Sequence, residues 1–219
     1  MSFVPPCYFQ REKGAGGKEL ARLTKDRSSA GATSIRRSAV KTIMNAGYLD
    51  IIKGNEGEIQ TIHTMAHPLR HVNQQRGVDS DSTLTTEQKA AIVSSLARAE
   101  RNIVLMTGKA DVVSDGTLTF AVENGHEVMG RVTGTGCVLG TTVSVFVAAY
   151  DGGSASNGGR LAAVVAALVV FGVAGERAAE RAAGPGSFVP AFIDELDRIR
   201  RESVSGDMSW LKLARVTRV

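Results

Sequence analysis

Cysteine, aromatic side chains and long apolar runs are all scarce in this sequence. Two cysteines occur among 219 residues, Cys7 and Cys137, 130 positions apart. They exclude a disulfide framework and favour a reducing compartment, so a cytoplasmic location is expected. Aromatics make up 5% of the chain, which argues against an RNA-binding module built on stacking rings. Two apolar stretches, 138–150 and 161–175, run 13 and 15 residues. Both fall short of the roughly 20 apolar residues that a spanning helix needs, so buried core helices are expected and a hairpin membrane protein is not. Residues 1–11 show no charged start followed by an apolar run, and no secretory leader is expected.

The composition that remains is that of an ordinary globular protein, with 43% hydrophobic and 22% charged residues and 24 glycines. The net charge of +4 is unevenly spread. Residues 1–41 carry nine basic and three acidic side chains, and residues 198–219 carry six and two, leaving −6 for 42–197. The basic character belongs to the two ends. A nucleic-acid binder would need those ends to act together on phosphates, and no nucleic-acid partner is expected.

Along the chain, residues 1–29 combine Pro5-Pro6, the run Gly14-Ala15-Gly16-Gly17 and scattered basic residues without an apolar face, and read as flexible. Ser34 opens a helix with Ile35, Val40, Ile43 and Met44 as its apolar positions, stopped at Gly47. Residues 48–52 read as a buried strand leaving into a loop at Gly54-Asn55, and 56–64 as a helical turn. Residues 65–83 read as a loop insertion. A helix follows from Thr85 to about Arg101, with Ala91, Ile92, Ser95, Leu96 and Ala99 on one face. A second buried strand spans 102–106, and a turn at Asp115-Gly116 joins 111–114 to 117–122. Helices are expected over 136–150, 160–183 and 187–203, with a basic tail over 205–219. This order is that of an α/β layered domain.

Three strand-end or turn motifs carry chemistry. Arg131-Val132-Thr133-Gly134-Thr135-Gly136-Cys137 leads directly into an apolar helix. Its glycines allow a tight turn, and the unpaired N–H groups and dipole of the helix start make an anion cradle at Thr135 and Gly136. Cys137 stands at its mouth, where a helix N-terminus favours the thiolate. The alternative is a plain turn before a core helix with a structural cysteine. Second, Lys53-Gly54-Asn55-Glu56-Gly57-Glu58 follows a strand. Asn55 and Glu58, three apart, face the same way on a helical turn and can hold water around Mg²⁺; the alternative is a solvated polar loop. Third, Thr107-Gly108 ends the other strand, where α/β sheets gather ligands. His63, His67 and His71 are each four apart, but Pro68 interrupts any helix carrying all three, so a metal site is not expected there.

Together these motifs resemble the hydroxyethylthiazole kinases, a family with the ribokinase-like fold. The matching segments are Ala30-Gly31-Ala32-Thr33-Ser34-Ile35-Arg36-Arg37, Ile51-Ile52-Lys53-Gly54-Asn55-Glu56-Gly57-Glu58-Ile59, Gly77-Val78-Asp79-Ser80, Val104-Leu105-Met106-Thr107-Gly108 and Val132-Thr133-Gly134-Thr135-Gly136-Cys137. The cysteine in the last motif sets the family apart from most relatives of the fold, which have an aspartate. The likeness is greatest to fungal versions fused behind a thiamine-phosphate synthase. It covers residues 30–204, the latter part of the family domain. A three-layer α/β domain, incomplete on its N-terminal side, is expected.

The resemblance implies ATP-dependent phosphorylation of 4-methyl-5-(2-hydroxyethyl)thiazole in thiamine biosynthesis. It places Lys53 and Thr107 on ATP, Gly134 beside the substrate, Asn55 and Glu58 around Mg²⁺ through water, and Cys137 as the base. It also implies a homotrimer. Asp26 falls at the family's acidic position, although Leu23-Thr24-Lys25 before it is no buried strand. The competing expectation is a catalytically incomplete remnant that keeps the nucleotide-binding half.

Overall fold

A computed structural model describes residues 12–13, 19–20, 34–47, 49–66, 84–151 and 157–219. Cys7, Asp26, His67, His71 and the segments 30–33 and 77–80 lie outside the described residues. The chain divides into two compact units. One comprises Met1–Gly108, Val112–Thr119 and Val219; the other comprises Lys109–Asp111 and Phe120–Arg218.

Within the first unit, strands β1 (Glu12–Lys13) and β2 (Glu19–Leu20) form a minimal antiparallel pair inside the stretch that reads as flexible. Helix α1 (Ser34–Asn45) follows. Of its expected apolar positions, Val40 is buried, but Ile35 is 80% exposed. Five residues separate the two, which rotates Ile35 about 140° from Val40 on a helix of 3.6 residues per turn.

Strand β3 (Ile51–Asn55) runs directly into helix α2 (Glu56–Ala66), and helix α3 (Thr86–Glu100) leads to strand β4 (Ile103–Thr107). β3 and β4 pair in parallel from Ile51↔Ile103 to Asn55↔Thr107. The strand therefore extends three residues beyond the expected 52, because Lys53, Gly54 and Asn55 complete the ladder despite their polarity. β5 (Asp111–Ser114) adds antiparallel to β4. Ile52, Ile59, Val93, Leu96, Val104 and Leu105 are fully buried.

Helix α3 starts as its sequence indicates. Thr85 and Gln88 make a reciprocal cap, Thr85 N–H donating to Gln88 Oε1 at 2.9 Å and Gln88 N–H to Thr85 Oγ1 at 3.3 Å. Its buried face differs from the expectation. Lys89, Ala90, Val93, Leu96 and Ala97 point inward, while Ala91 and Ala99 are exposed. Alanine tolerates either environment, so Val93 and Leu96 set the face. They carry Lys89 inside with them.

The second unit holds β6 (Thr119–Val122, from Phe120 onward), the short α4 (Val128–Arg131), α5 (Thr135–Asp151), α6 (Asn157–Arg181) and α7 (Pro185–Val204). Phe192 of α7 meets Phe171 of α6 edge-on, with ring centroids 4.9 Å apart, and stacks on Phe188 at 5.5 Å. Part of α6, Gly159–Arg181, is long and apolar enough by length and composition to cross a bilayer; its most apolar stretch is mostly buried inside the protein, the pattern of a core helix.

The basic segment 205–219 carries structure that its composition does not announce. A 3-10 turn, Ser209–Leu213, buries Trp210, whose indole N–H donates to Ser203 Oγ at 3.0 Å. β7 (Val216–Arg218) then pairs antiparallel with β6. Asn124 anchors the approach: its Oδ1 accepts from Arg215 N–H at 2.8 Å, and its Nδ2 donates to Leu213 O at 2.8 Å. Glu176 Oε1 accepts from Gly125 N–H and from the Arg215 guanidinium.

Candidate active site

The candidate residues fall into two groups, one in each unit. Lys53, Asn55, Glu58 and Thr107 belong to the first, gathered where β3 and β4 end side by side. Asn55 and Thr107 are register partners at the carboxyl ends of these parallel strands. The Thr107 hydroxyl lies 3.4 Å from Gly54 O, a long contact. Lys53 is not at the open end, as the shorter expected strand implied. It is the third residue of β3, paired with Leu105 and 7% exposed. The period of two puts Lys53 and Asn55 on one face of the sheet.

Asn55 and Glu58 meet more closely than their spacing alone required. Asn55 N–H donates to Glu58 Oε2 at 2.7 Å, and Glu58 N–H donates to Asn55 Oδ1 at 2.9 Å. This is a reciprocal N-terminal cap for α2, satisfying two backbone donors that a helix start leaves unpaired. Glu58 is buried, and its carboxylate shares that space with Gly54. A Cβ on Gly54 would lie 2.9 Å from Glu58 Cβ and 3.2 Å from Glu58 Oε2. Only glycine lets β3 turn into α2 this tightly.

The second group is the start of α5. Gly134 has φ +103°, a left-handed conformation that side chains rarely adopt, which explains glycine there. Its carbonyl accepts from both Cys137 N–H and Val138 N–H at 3.0 Å. The first-turn donors left without an intrahelical acceptor are thus the N–H groups of Thr135 and Gly136. The Thr135 hydroxyl is turned away from any cradle and donates to Met129 O at 3.0 Å. Thr135 can contribute through its backbone. Cys137 carries a partly exposed thiol, outside any disulfide, in this first turn.

No group of three or more His, Cys, Asp or Glu residues able to hold a metal occurs among the described residues. A magnesium ion fits the first group only in the form common for this ion, with one or two protein oxygens and the remaining positions filled by water and phosphate. Glu58 Oε1 lies outside the cap and is suited to that part. His63 points elsewhere, its Nε2 3.3 Å from Ser95 Oγ of α3.

Residues 19–202 match the model of the hydroxyethylthiazole kinase family. The chain belongs to that family. The match begins ahead of residue 30, where the segments that carry the resemblance start. The chain is 34% identical over 207 residues to a probable thiamine biosynthetic bifunctional enzyme of Schizosaccharomyces pombe, covering 90% of this chain and 38% of that protein. It is 40% identical to a hydroxyethylthiazole kinase of Pyrococcus furiosus, covering 83% and 63%. The solved structure of the hydroxyethylthiazole kinase from Pyrococcus horikoshii matches with a TM-score of 0.68 at 35% identity, covering 89% of this chain and 64% of that one. The chain thus spans less than two thirds of the length of each of these relatives. The architecture is α/β and ribokinase-like, as the motifs implied.

Proposed function

We propose that this hydroxyethylthiazole kinase family chain transfers the γ-phosphoryl group of ATP to the primary alcohol of 4-methyl-5-(2-hydroxyethyl)thiazole. The observation that carries the reading is the register pairing of Asn55 with Thr107 at two parallel strand ends, which offers a nucleotide site in the place where α/β sheets bind ligands.

Phosphoryl transfer asks a protein mainly to position its reactants and to stabilise charge. Thr107 offers a hydroxyl to ATP. Lys53, buried on the Asn55 face of β3, supplies positive charge that a low-dielectric setting strengthens. Asn55 and Glu58 organise the water around Mg²⁺, with Glu58 Oε1 available outside the cap. Bound Mg²⁺ would neutralise charge on the phosphates. The N–H groups of Thr135 and Gly136 form an anion cradle with the positive end of the α5 dipole. Gly134 borders the alcohol, and Cys137 takes its proton as the base.

A homo-oligomer, a trimer by family resemblance, belongs to the same proposal, as does a cytoplasmic location. Helix α5 has no charged side chain from Thr135 to Tyr150, yet exposes Val138 and Val145, which supports self-association. Incubation of the purified chain with Mg²⁺, ATP and the thiazole alcohol tests the reaction. A phosphate monoester, formed in step with ADP, is expected. Light scattering reads the oligomer separately.

A further inference from the structure

Helix α2 begins with no loop before it. Asn55 closes β3 and Glu56 opens the helix, so the orientation of Asn55 and Glu58 depends on how the first turn of α2 is set. That turn is pinned from outside by a charged pair. Lys89 Nζ of α3 lies 3.2 Å from Glu56 Oε2, and the two side chains are only 7% and 10% exposed. The other carboxylate oxygen, Glu56 Oε1, accepts from Gln60 Nε2 at 3.3 Å. One turn of helix thus carries two interlocked polar units. Glu56 reaches across to α3, and Asn55 and Glu58 cap each other.

A buried ion pair is an expensive way to fill space, since two apolar side chains of similar volume commonly serve stability as well or better. What apolar packing does not supply is direction. A buried, charged contact between single atoms fixes the rotation of the first turn of α2 against α3, while aliphatic side chains at the same positions would allow it to roll and slide.

We propose that Lys89 is a positioning residue. Through Glu56 it fixes the start of α2 and holds Asn55 and Glu58 in the reciprocal cap on which their role toward Mg²⁺ and ATP depends. The role in turnover rests on the kinase reading above; the role in holding the cap does not.

The test compares the wild-type chain with Lys89→Met and with the double variant Glu56→Met/Lys89→Met. Amide hydrogen exchange at Asn55 and Glu58 reads the cap, the urea midpoint reads stability, and the KM for Mg²⁺–ATP reads the site. In Lys89→Met, exchange at Asn55 and Glu58 should quicken at least tenfold relative to the core amides of Val104 and Leu105, and KM should rise more than kcat falls. The double variant should regain the wild-type urea midpoint while exchange and KM stay raised. Should Lys89→Met fail to fold, the double variant carries the comparison. Wild-type exchange at Asn55 and Glu58 in either variant overturns the proposal, as does recovery of KM together with stability in the double variant. Absence of thiazole phosphorylation in the wild-type chain sinks the kinase reading alone, because the exchange measurement needs no turnover.

Discussion

Asn55 and Glu58 hold each other through two backbone-to-side-chain hydrogen bonds of 2.7 and 2.9 Å across the first turn of α2. The oxygens proposed to organise magnesium therefore sit on the pair that starts the helix. Folding and chemistry share these side chains, and substitutions have to be chosen to separate the two.

Glu58→Gln separates them. Glutamine at the third helical position still accepts the Asn55 N–H, so the cap survives and the melting temperature should stay close to wild type. The negative charge is lost, and turnover should fall about tenfold or more, the range for outer-shell metal partners. Asn55→Ala removes the cap itself and should cost about 1 kcal/mol of stability as well as activity. Thermal melts beside magnesium titrations of the rate check both.

Gly54→Ala tests how tightly the strand turns into the helix. The new methyl group would meet Glu58 Cβ at 2.9 Å and Ile59 Cδ1 at 3.2 Å. Glu58 Cβ is fixed by the helix backbone, and Ile59 is fully buried and has little room to give. Overpacking of this kind should destabilise by about 1–3 kcal/mol, measured by urea denaturation.

The C-terminal segment should depend on Asn124. Its side chain accepts from Arg215 N–H and donates to Leu213 O, and it is almost fully buried. Asn124→Ala leaves those backbone groups without their partner and should cost about 1–3 kcal/mol. Limited proteolysis should then cut first between residues 205 and 219.

Cys137→Ala addresses the proposed base. With the proton acceptor gone, kcat should fall by about a hundredfold, within the usual contribution of general base catalysis. The KM for the thiazole alcohol should change little. An unchanged kcat would assign Cys137 to structure.

Much of the fold was legible because its pattern was repetitive. The helices α3 and α7 follow from helical spacing of apolar residues, and α5, α6 and the apolar cores of β3 and β4 from continuous apolar stretches. Several of the departures share one cause, which is a polar residue placed inside by a partner distant in sequence. Lys53-Gly54-Asn55 reads as loop until the neighbouring Leu105–Thr107 ladder is known. Lys89 reads as surface until Glu56 is placed opposite it. Asn124 and Arg215 give no local sign that they lock the chain end to Glu176. The Asn55–Glu58 spacing was visible and had two meanings, because three residues' separation suits both a shared helix face and a reciprocal cap. The structure shows the cap, and the capping signature in the sequence would have found it. At Gly134-Thr135-Gly136-Cys137 the helix start was anticipated, but the hydroxyl of Thr135 turning to Met129 was not.

The most direct test of the kinase reading is a phosphoryl-transfer assay with γ-labelled ATP, Mg²⁺ and 4-methyl-5-(2-hydroxyethyl)thiazole, run on the purified wild-type chain and on Glu58→Gln. Label is expected in a thiazole phosphate monoester, strongly reduced in the variant. ATP binding without any labelled ester would contradict the kinase reading and leave a nucleotide-binding remnant in its place.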